Sequence, residues 1–236
     1  MNSSGVWVAK KEKISEMQSD TVILPYEPVE DFFVEALGEL PKRPVYCAFK
    51  RILDIIISTC GLIILLLPMT MIGIAVRYTS KGGALYVQSR LGKNGKEFQI
   101  IKFRTMRVSA EEEGAQWCDG ENDERVTKLG RFLRKTCLDE LPQLFCILKG
   151  DMSLVGPRPE REIFYTEFEK YIHGFDERLK VTPGLTGLAQ VSGGYNLRPE
   201  EKIIYDIEYI KTRSLWLDFK IMFKTVKVIL SGAGMI

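Results

Sequence analysis

The hydrophobic pattern changes character four times along the chain. Residues 1 to about 44 are polar and proline-punctuated (Pro25, Pro28, Pro41, Pro44), with weak periodicity. They read as a solvated, partly disordered tail with one short helix over Val29 to Leu40. From Ile55 to Val76 no side chain is charged. That run of roughly 22 residues, about 33 Å as helix, is long enough to cross a bilayer and too uniformly apolar for an ordinary amphipathic helix. Ala84–Gln88 and Phe98–Phe103 read as strands of a small β-hairpin around the turn Gly92–Gly95. Helical spacing follows over Val126–Arg134, Glu140–Leu148, Pro159–Tyr171, Pro199–Thr212 and Leu215–Leu230. The pattern predicts an α+β, mainly helical protein with a tail (1–44), a membrane element (45–80) and a globular domain (81–236).

Charge decides how the apolar run meets the membrane. Lys42, Arg43, Lys50 and Arg51 precede it, and Arg77, Lys81, Arg90 and Lys93 follow it. Both ends are basic, so both gain by staying on the cytoplasmic side. Pro68 lies inside the run, where its ring opposes the carbonyl of Ile64. These features favour a monotopic, re-entrant helix-break-helix over a single span. Ser58 and Thr59 are candidates to satisfy freed backbone groups, and Asp54 is expected to pair with Arg51 near the headgroups. In the last helix Lys220, Lys224 and Lys227 share a face beside an apolar surface, as in an interfacial helix on anionic lipid. A core helix with a wet lysine stripe is the plain alternative.

Composition adds limits. Hydrophobic residues at 45% and charged residues at 27% allow a normal core, and a net charge of +2 points to no nucleic-acid partner. The five cysteines have no CxxC spacing, which disfavours a disulfide framework or zinc site and fits a reducing compartment. No signal peptide is read at the start.

Three constellations carry candidate chemistry. In Leu138-Asp139-Glu140-Leu141-Pro142, two carboxylates precede an apolar helix. Helix capping accounts for both; alternatively one attacks phosphorus while the other holds a hard cation. In Gly156-Pro157-Arg158-Pro159, Pro157 and Pro159 stiffen the chain around one guanidinium suited to gripping phosphate. Lys102 and Arg104 alternate on a strand and point to one face, where they either add positive charge or form a solvated sheet edge. The glycine-punctuated segment Val181–Gly193 reads only as an ordered loop. His173 is the single histidine, and nothing builds a triad around it.

Taken in order, these blocks resemble the bacterial sugar transferase family, the monotopic phosphoglycosyl transferases, in its compact form. The blocks are Lys50–Asp54, Gln88–Gly92, Lys102–Met106, Leu138–Leu144, Lys149–Pro159, the Thr182–Gly193 loop and Ser214–Asp218. The resemblance covers about Lys50 to Ser231. It implies transfer of a sugar 1-phosphate from a UDP-sugar to undecaprenyl phosphate at the cytoplasmic face of the inner (plasma) membrane. UMP is released, and a covalent phosphosugar forms on Asp139. It further implies Mg2+ at Glu140, phosphate contact by Arg158, and functional positions at Lys102 and Asp206. Membrane lipids are implied partners, and homo-oligomerisation is left open. Where the family often has Ser before the hairpin proline, this chain has Leu67, which bears on the sharpness of the bend. Two rival expectations stand beside this one: a membrane-bound nucleotide-sugar pyrophosphatase, and a non-enzymatic scaffold whose two carboxylates only cap a helix.

Overall fold

The computed structural model describes residues 22, 24, 26–29, 31–110, 123–193 and 197–231. Residues 1–21, about half of the expected tail, and Cys118 lie outside them. The elements in chain order are β1 (Phe32–Phe33), α1 (Pro44–Thr79), β2 (Leu85–Leu91), β3 (Glu97–Phe103), α2 (Lys128–Lys135), α3 (Gln143–Lys149) and β4 (Ser153–Val155). Then follow α4 (Glu162–Phe168), β5 (Ile172–His173), β6 (Gly184–Thr186), α5 (Leu188–Ser192), α6 (Pro199–Thr212) and α7 (Leu215–Ser231).

The hairpin stands as expected and is longer at both strands. β2 and β3 pair antiparallel from Leu85 with Phe103 to Leu91 with Glu97. Asn94, at φ 58°, supplies the left-handed residue that reverses the chain. Helix α2 starts at Lys128 because Thr127 caps it, its hydroxyl accepting the Gly130 N–H at 2.9 Å. Val126 is drawn off into a bridge with Met106. The parallel pair β4–β6 escapes sequence reading because three-residue strands carry no measurable alternation.

The short helix expected over Val29 to Leu40 does not form. Phe32 and Phe33 instead add a parallel strand to Ile172 and His173, and the Phe33 ring stacks on His173 with centroids 4.6 Å apart. From there to Arg43 the chain lies along the catalytic domain. The Leu37 N–H donates to Glu177 at 2.9 Å, Lys180 donates to the Gly38 carbonyl at 2.9 Å, and Arg43 donates to the Arg213 carbonyl. The expectation of a solvated arm is therefore corrected for this part of the tail; long-range pairing supplies what local periodicity lacks.

Helix α1 is the long apolar element, 36 residues from Pro44 to Thr79. Its backbone stays helical through Pro68, so the expected helix-break-helix is corrected in one respect: there is one helix, not two. Proline removes a single hydrogen bond, and the turns on both sides are held from outside. At one end the Arg51 guanidinium donates to the Ile147 and Leu148 carbonyls, each at 2.6 Å, closing the C-terminus of α3. Asp54 accepts the Leu154 N–H at 2.9 Å and enters β4, instead of pairing with Arg51. The Ser58 hydroxyl is buried without a hydrogen-bond partner among the described residues; Thr70, not Ser58, bonds a helix carbonyl, that of Leu66. At the other end Met69, Ile72 and Val76 pack with Phe103 and Leu133. Between these anchorages Ile63, Ile64, Leu66 and Leu67 are each at least 66% exposed. By length and composition this is the one described helix able to cross a membrane.

Two further clusters form the core of the globular body. Phe98, Ile100, Leu144, Ile147, Met152, Tyr209 and Ile221 join the hairpin to α3, α6 and α7. Phe164, Phe168, Tyr171, Phe175 and Ile203 pack α4 against α6. Asp218 ties α7 to the rest: it accepts from Tyr46 at 2.9 Å, Lys50 at 3.0 Å and Tyr209 at 2.8 Å.

Candidate active site

The carboxylate pair sits on a 3-10 turn, Leu138–Glu140, wedged between α2 and α3. Cys137 enters it at φ 53°, a left-handed conformation unfavourable for a side chain with a Cβ and of the kind found at functional turns. Leu138 packs in the same cluster as Met69, Ile72 and Val76, so the turn and α1 share one apolar cluster with Phe103 and Leu133. Neither this turn nor α3 has a side-chain cap. Asp139 and Glu140 are therefore not explained as caps, and both are buried.

Their environments differ. Glu140 accepts the Lys102 ammonium at 2.7 Å and both guanidinium nitrogens of Arg158, Nη1 at 3.2 Å and Nη2 closer still. Burial works against its charge, yet Arg158 and Lys102 outweigh burial and hold the carboxyl well below its usual range. Asp139 has no hydrogen-bond or ion-pair partner among the described residues. Burial first, then the charge of Glu140, pushes its pKa up to about 6; Lys102, Arg134 and Arg158 offset part of that rise. One carboxylate is locked as an anion and its neighbour is kept reactive, which is the separation of roles that distinguishes two adjacent acids.

Arg158 is presented by a rigid frame. The Gly156 N–H donates to the Thr186 carbonyl at 2.8 Å, and the Gly184 N–H donates to the Pro157 carbonyl at 2.9 Å. A Cβ on Gly184 would lie 2.1 Å from the Gly156 nitrogen. The glycine-punctuated loop is thus the second strand of β4–β6, and glycine is required where the backbones meet.

Lys102, Asp139, Glu140 and Arg158 come together as expected, with Pro157 and Pro159 flanking the arginine. Arg104 does not join them. β3 ends at Phe103, and beyond it the Arg104 side chain turns back on the hairpin, donating to the Gly83 carbonyl at 2.9 Å and lying over the Tyr86 ring. Asp206 is near but behind: it pairs with Arg178 at 2.6 Å, both fully buried, and burial raises its pKa to about 6. Sequence reading missed Arg134, Arg178 and Lys202. Arg134 acts on Asp139 and donates to the Thr105 hydroxyl at 3.0 Å. Burial lowers the pKa of Lys202, which lies in the field of Glu160, Arg158, Arg178 and Asp206. No local motif marks these three, because each reaches the site from a separate element.

A hard divalent cation takes oxygen ligands and keeps several waters, needing one or two carboxylates. The buried Asp139 without a partner, beside an ionised Glu140, is a donor set that fits such an ion. No third His, Cys, Asp or Glu joins them among the described residues, so its other ligands would be water or substrate oxygens.

Comparison with known proteins agrees with this geometry. Residues 45–232 match the family described as bacterial sugar transferase. The chain is 41% identical over 201 residues to a UDP-N-acetylgalactosamine-undecaprenyl-phosphate N-acetylgalactosaminephosphotransferase of Aeromonas hydrophila, covering 84% of this chain and 47% of that protein. It is 42% identical over 205 residues to a UDP-glucose:undecaprenyl-phosphate glucose-1-phosphate transferase of Klebsiella pneumoniae, covering 85% and 44%. It is 42% identical over 201 residues to an undecaprenyl-phosphate galactose phosphotransferase of Salmonella typhimurium, covering 78% and 41%. The chain spans less than half the length of these three relatives.

Proposed function

The chain belongs to the bacterial sugar transferase family, and from that premise we propose that it moves a sugar 1-phosphate from a UDP-sugar to undecaprenyl phosphate, the first step of a surface glycan. A carboxylate oxygen of Asp139 attacks the β-phosphorus of the donor. A P–O bond to the β-phosphorus forms, the bond from that phosphorus to the bridging oxygen breaks, and UMP leaves with the electron pair. An oxygen of the lipid phosphate then attacks the same phosphorus, the Asp139 carboxylate departs, and the polyprenyl diphosphosugar is released. The observation that carries this reading is the contrast within the pair. Asp139 is buried and has no hydrogen-bond or ion-pair partner among the described residues, while Glu140, Lys102 and Arg158 form a preorganised charged frame beside it. Lys102 and Arg158 are placed to meet negative charge developing on the phosphoryl oxygens. Glu140 would hold Mg2+, which when bound neutralises diphosphate oxygens.

Membrane placement follows from α1. Both of its ends are fastened to one globular body, through Arg51 and Asp54 at one and Val76 at the other. This fastening supports a re-entrant reading in which Ile63 to Leu67 enter the lipid and both ends stay on one side, and the basic flanks favour the cytoplasm for that side. The turn bearing Asp139 then lies at headgroup level, where a soluble nucleotide and a lipid phosphate both reach it. The lysine face of α7 meets anionic headgroups in the same plane.

Purified chain in lipid, given a panel of UDP-sugars with polyprenyl phosphate, is expected to release UMP only with acceptor present, beyond one equivalent. Donor labelled in the sugar is expected to leave sugar phosphate on Asp139 when acceptor is withheld. Product formation by protein that never carries that label would overturn the covalent route. Steady UMP release without acceptor would favour hydrolysis.

A further inference from the structure

Pro157 and Pro159 have no backbone N–H, so the Pro157-Arg158-Pro159 segment is held chiefly by what its carbonyls accept. All three carbonyls are engaged. Pro157 accepts from the Gly184 N–H at 2.9 Å. Arg158 accepts from the Arg178 guanidinium at 2.9 Å, and Pro159 accepts from the Arg90 guanidinium at 3.2 Å. Each of these two arginines is tied to its own carboxylate, Arg178 to Asp206 at 2.6 Å and Arg90 to Glu160 at 3.1 Å. Arg178 is also fixed in plane, its guanidinium lying 4.9 Å from the Phe175 ring centroid and 5.8 Å from that of Tyr165. Arg90 gives its other nitrogen to Gln88 at 2.7 Å.

We propose that Arg90 and Arg178 are a paired clamp of positioning residues. They hold consecutive carbonyls, each through one terminal guanidinium nitrogen that also meets its own carboxylate, and so aim the Arg158 guanidinium at Glu140 and at a diphosphate. Asp206 and Glu160 act through them, by neutralising and orienting the two forks. The roles rest on the phosphotransfer reading above for their consequence, though the clamp itself is a feature of the fold. It also accounts for Asp206, whose ion pair is with Arg178 and through it with the Arg158 backbone.

The test is a double-mutant cycle on the full chain in lipid. Arg178→Lys and Arg90→Lys each keep a positive charge but replace the long planar guanidinium, whose terminal nitrogen joins carbonyl to carboxylate, by a shorter ammonium on a flexible stem. Each is expected to lower kcat by about tenfold or more, the scale of a small misplacement of a charge-stabilising group, with donor KM changed by less than about threefold. In an Arg158→Ala background the same changes are expected to cost less than about twofold further, because the group they aim is gone. A full additional loss in that background, or a risen KM with kcat intact, overturns the clamp. Hydrogen–deuterium exchange read on the peptide spanning 156–161 gives an answer without turnover. Either lysine variant is expected to speed exchange there by about tenfold, since local opening free energy falls when anchors are lost; unchanged exchange overturns the clamp. If the unaltered chain transfers no sugar phosphate, the proposed function fails and the exchange result alone decides the clamp.

Discussion

The membrane helix and the cluster around Arg158 are inversions of each other. Along α1 large apolar side chains face outward, Leu67 at 70% exposed. Around Arg158 the interior holds charge, with Asp139, Glu140, Arg178 and Asp206 all buried. Each arrangement would be costly in an ordinary water-soluble domain. The outward apolar face is stabilised once lipid replaces water. The buried charges are tolerated because nearly all are paired, and the exception, Asp139, is the group that the proposed reaction consumes and regenerates. In both regions the departure from ordinary packing falls where the proposed function needs another molecule.

The strongest way to break this comparison is Asp139→Asn, an isostere that retains capping ability. Transfer is expected to fall by at least about a thousandfold, as for loss of a nucleophile, while the thermal midpoint at pH 7 holds or rises. The rise follows from linkage. A carboxyl whose folded pKa is lifted to about 6 binds more protons folded than unfolded between about pH 4 and 6, so its contribution to stability falls as pH rises through that window and stays low above it. Retained transfer would sink the chemistry.

Glu140→Gln should act in the opposite sense on stability. It leaves the half-buried Lys102 and Arg158 without their counter-charge, a change expected to destabilise by about 1–3 kcal/mol. Chemical denaturation of the variant in lipid measures this, and an unchanged midpoint would show the ion-pair frame to be dispensable.

Leu67→Lys tests the other region. A charge deep in lipid costs about 2.5–3.5 kcal/mol, so flotation with vesicles should weaken by about a hundredfold while the globular body keeps its fold. If binding persists, the outward face of α1 does not sit in lipid.

The smallest effect sharpens the contrast inside the carboxylate pair. With Asp139 titrating at about 6 and Glu140 ionised far below that, the rate of UMP release should fall about tenfold per pH unit below pH 6. A plateau down to pH 4 would mean that Asp139 is not held up by its surroundings.

Much of the fold was legible because its signals are local. A charge-free run, a turn between alternating strands, and helices with 3.6-residue spacing each announce themselves within a dozen residues. The site was legible where a motif is compact, as in Asp139–Glu140 and Pro157–Pro159. Reading by alternation failed at Arg104, one residue past the end of β3, where the face is no longer set by the pleat. It failed also for the tail, whose strand exists only against Ile172 and His173.

By itself the amino-acid order determined the elements, the apolar anchor, the family and the adjacency of two acids. Tertiary structure alone decided which acid is neutralised. Glu140 lies under a strand residue, Lys102, and a loop residue, Arg158, that are 38 and 18 positions away, while Asp139 meets no cation within hydrogen-bonding distance. Coulomb energy and burial depend on separation in space, and neighbours on a 3-10 turn, about 120° apart, face different surroundings.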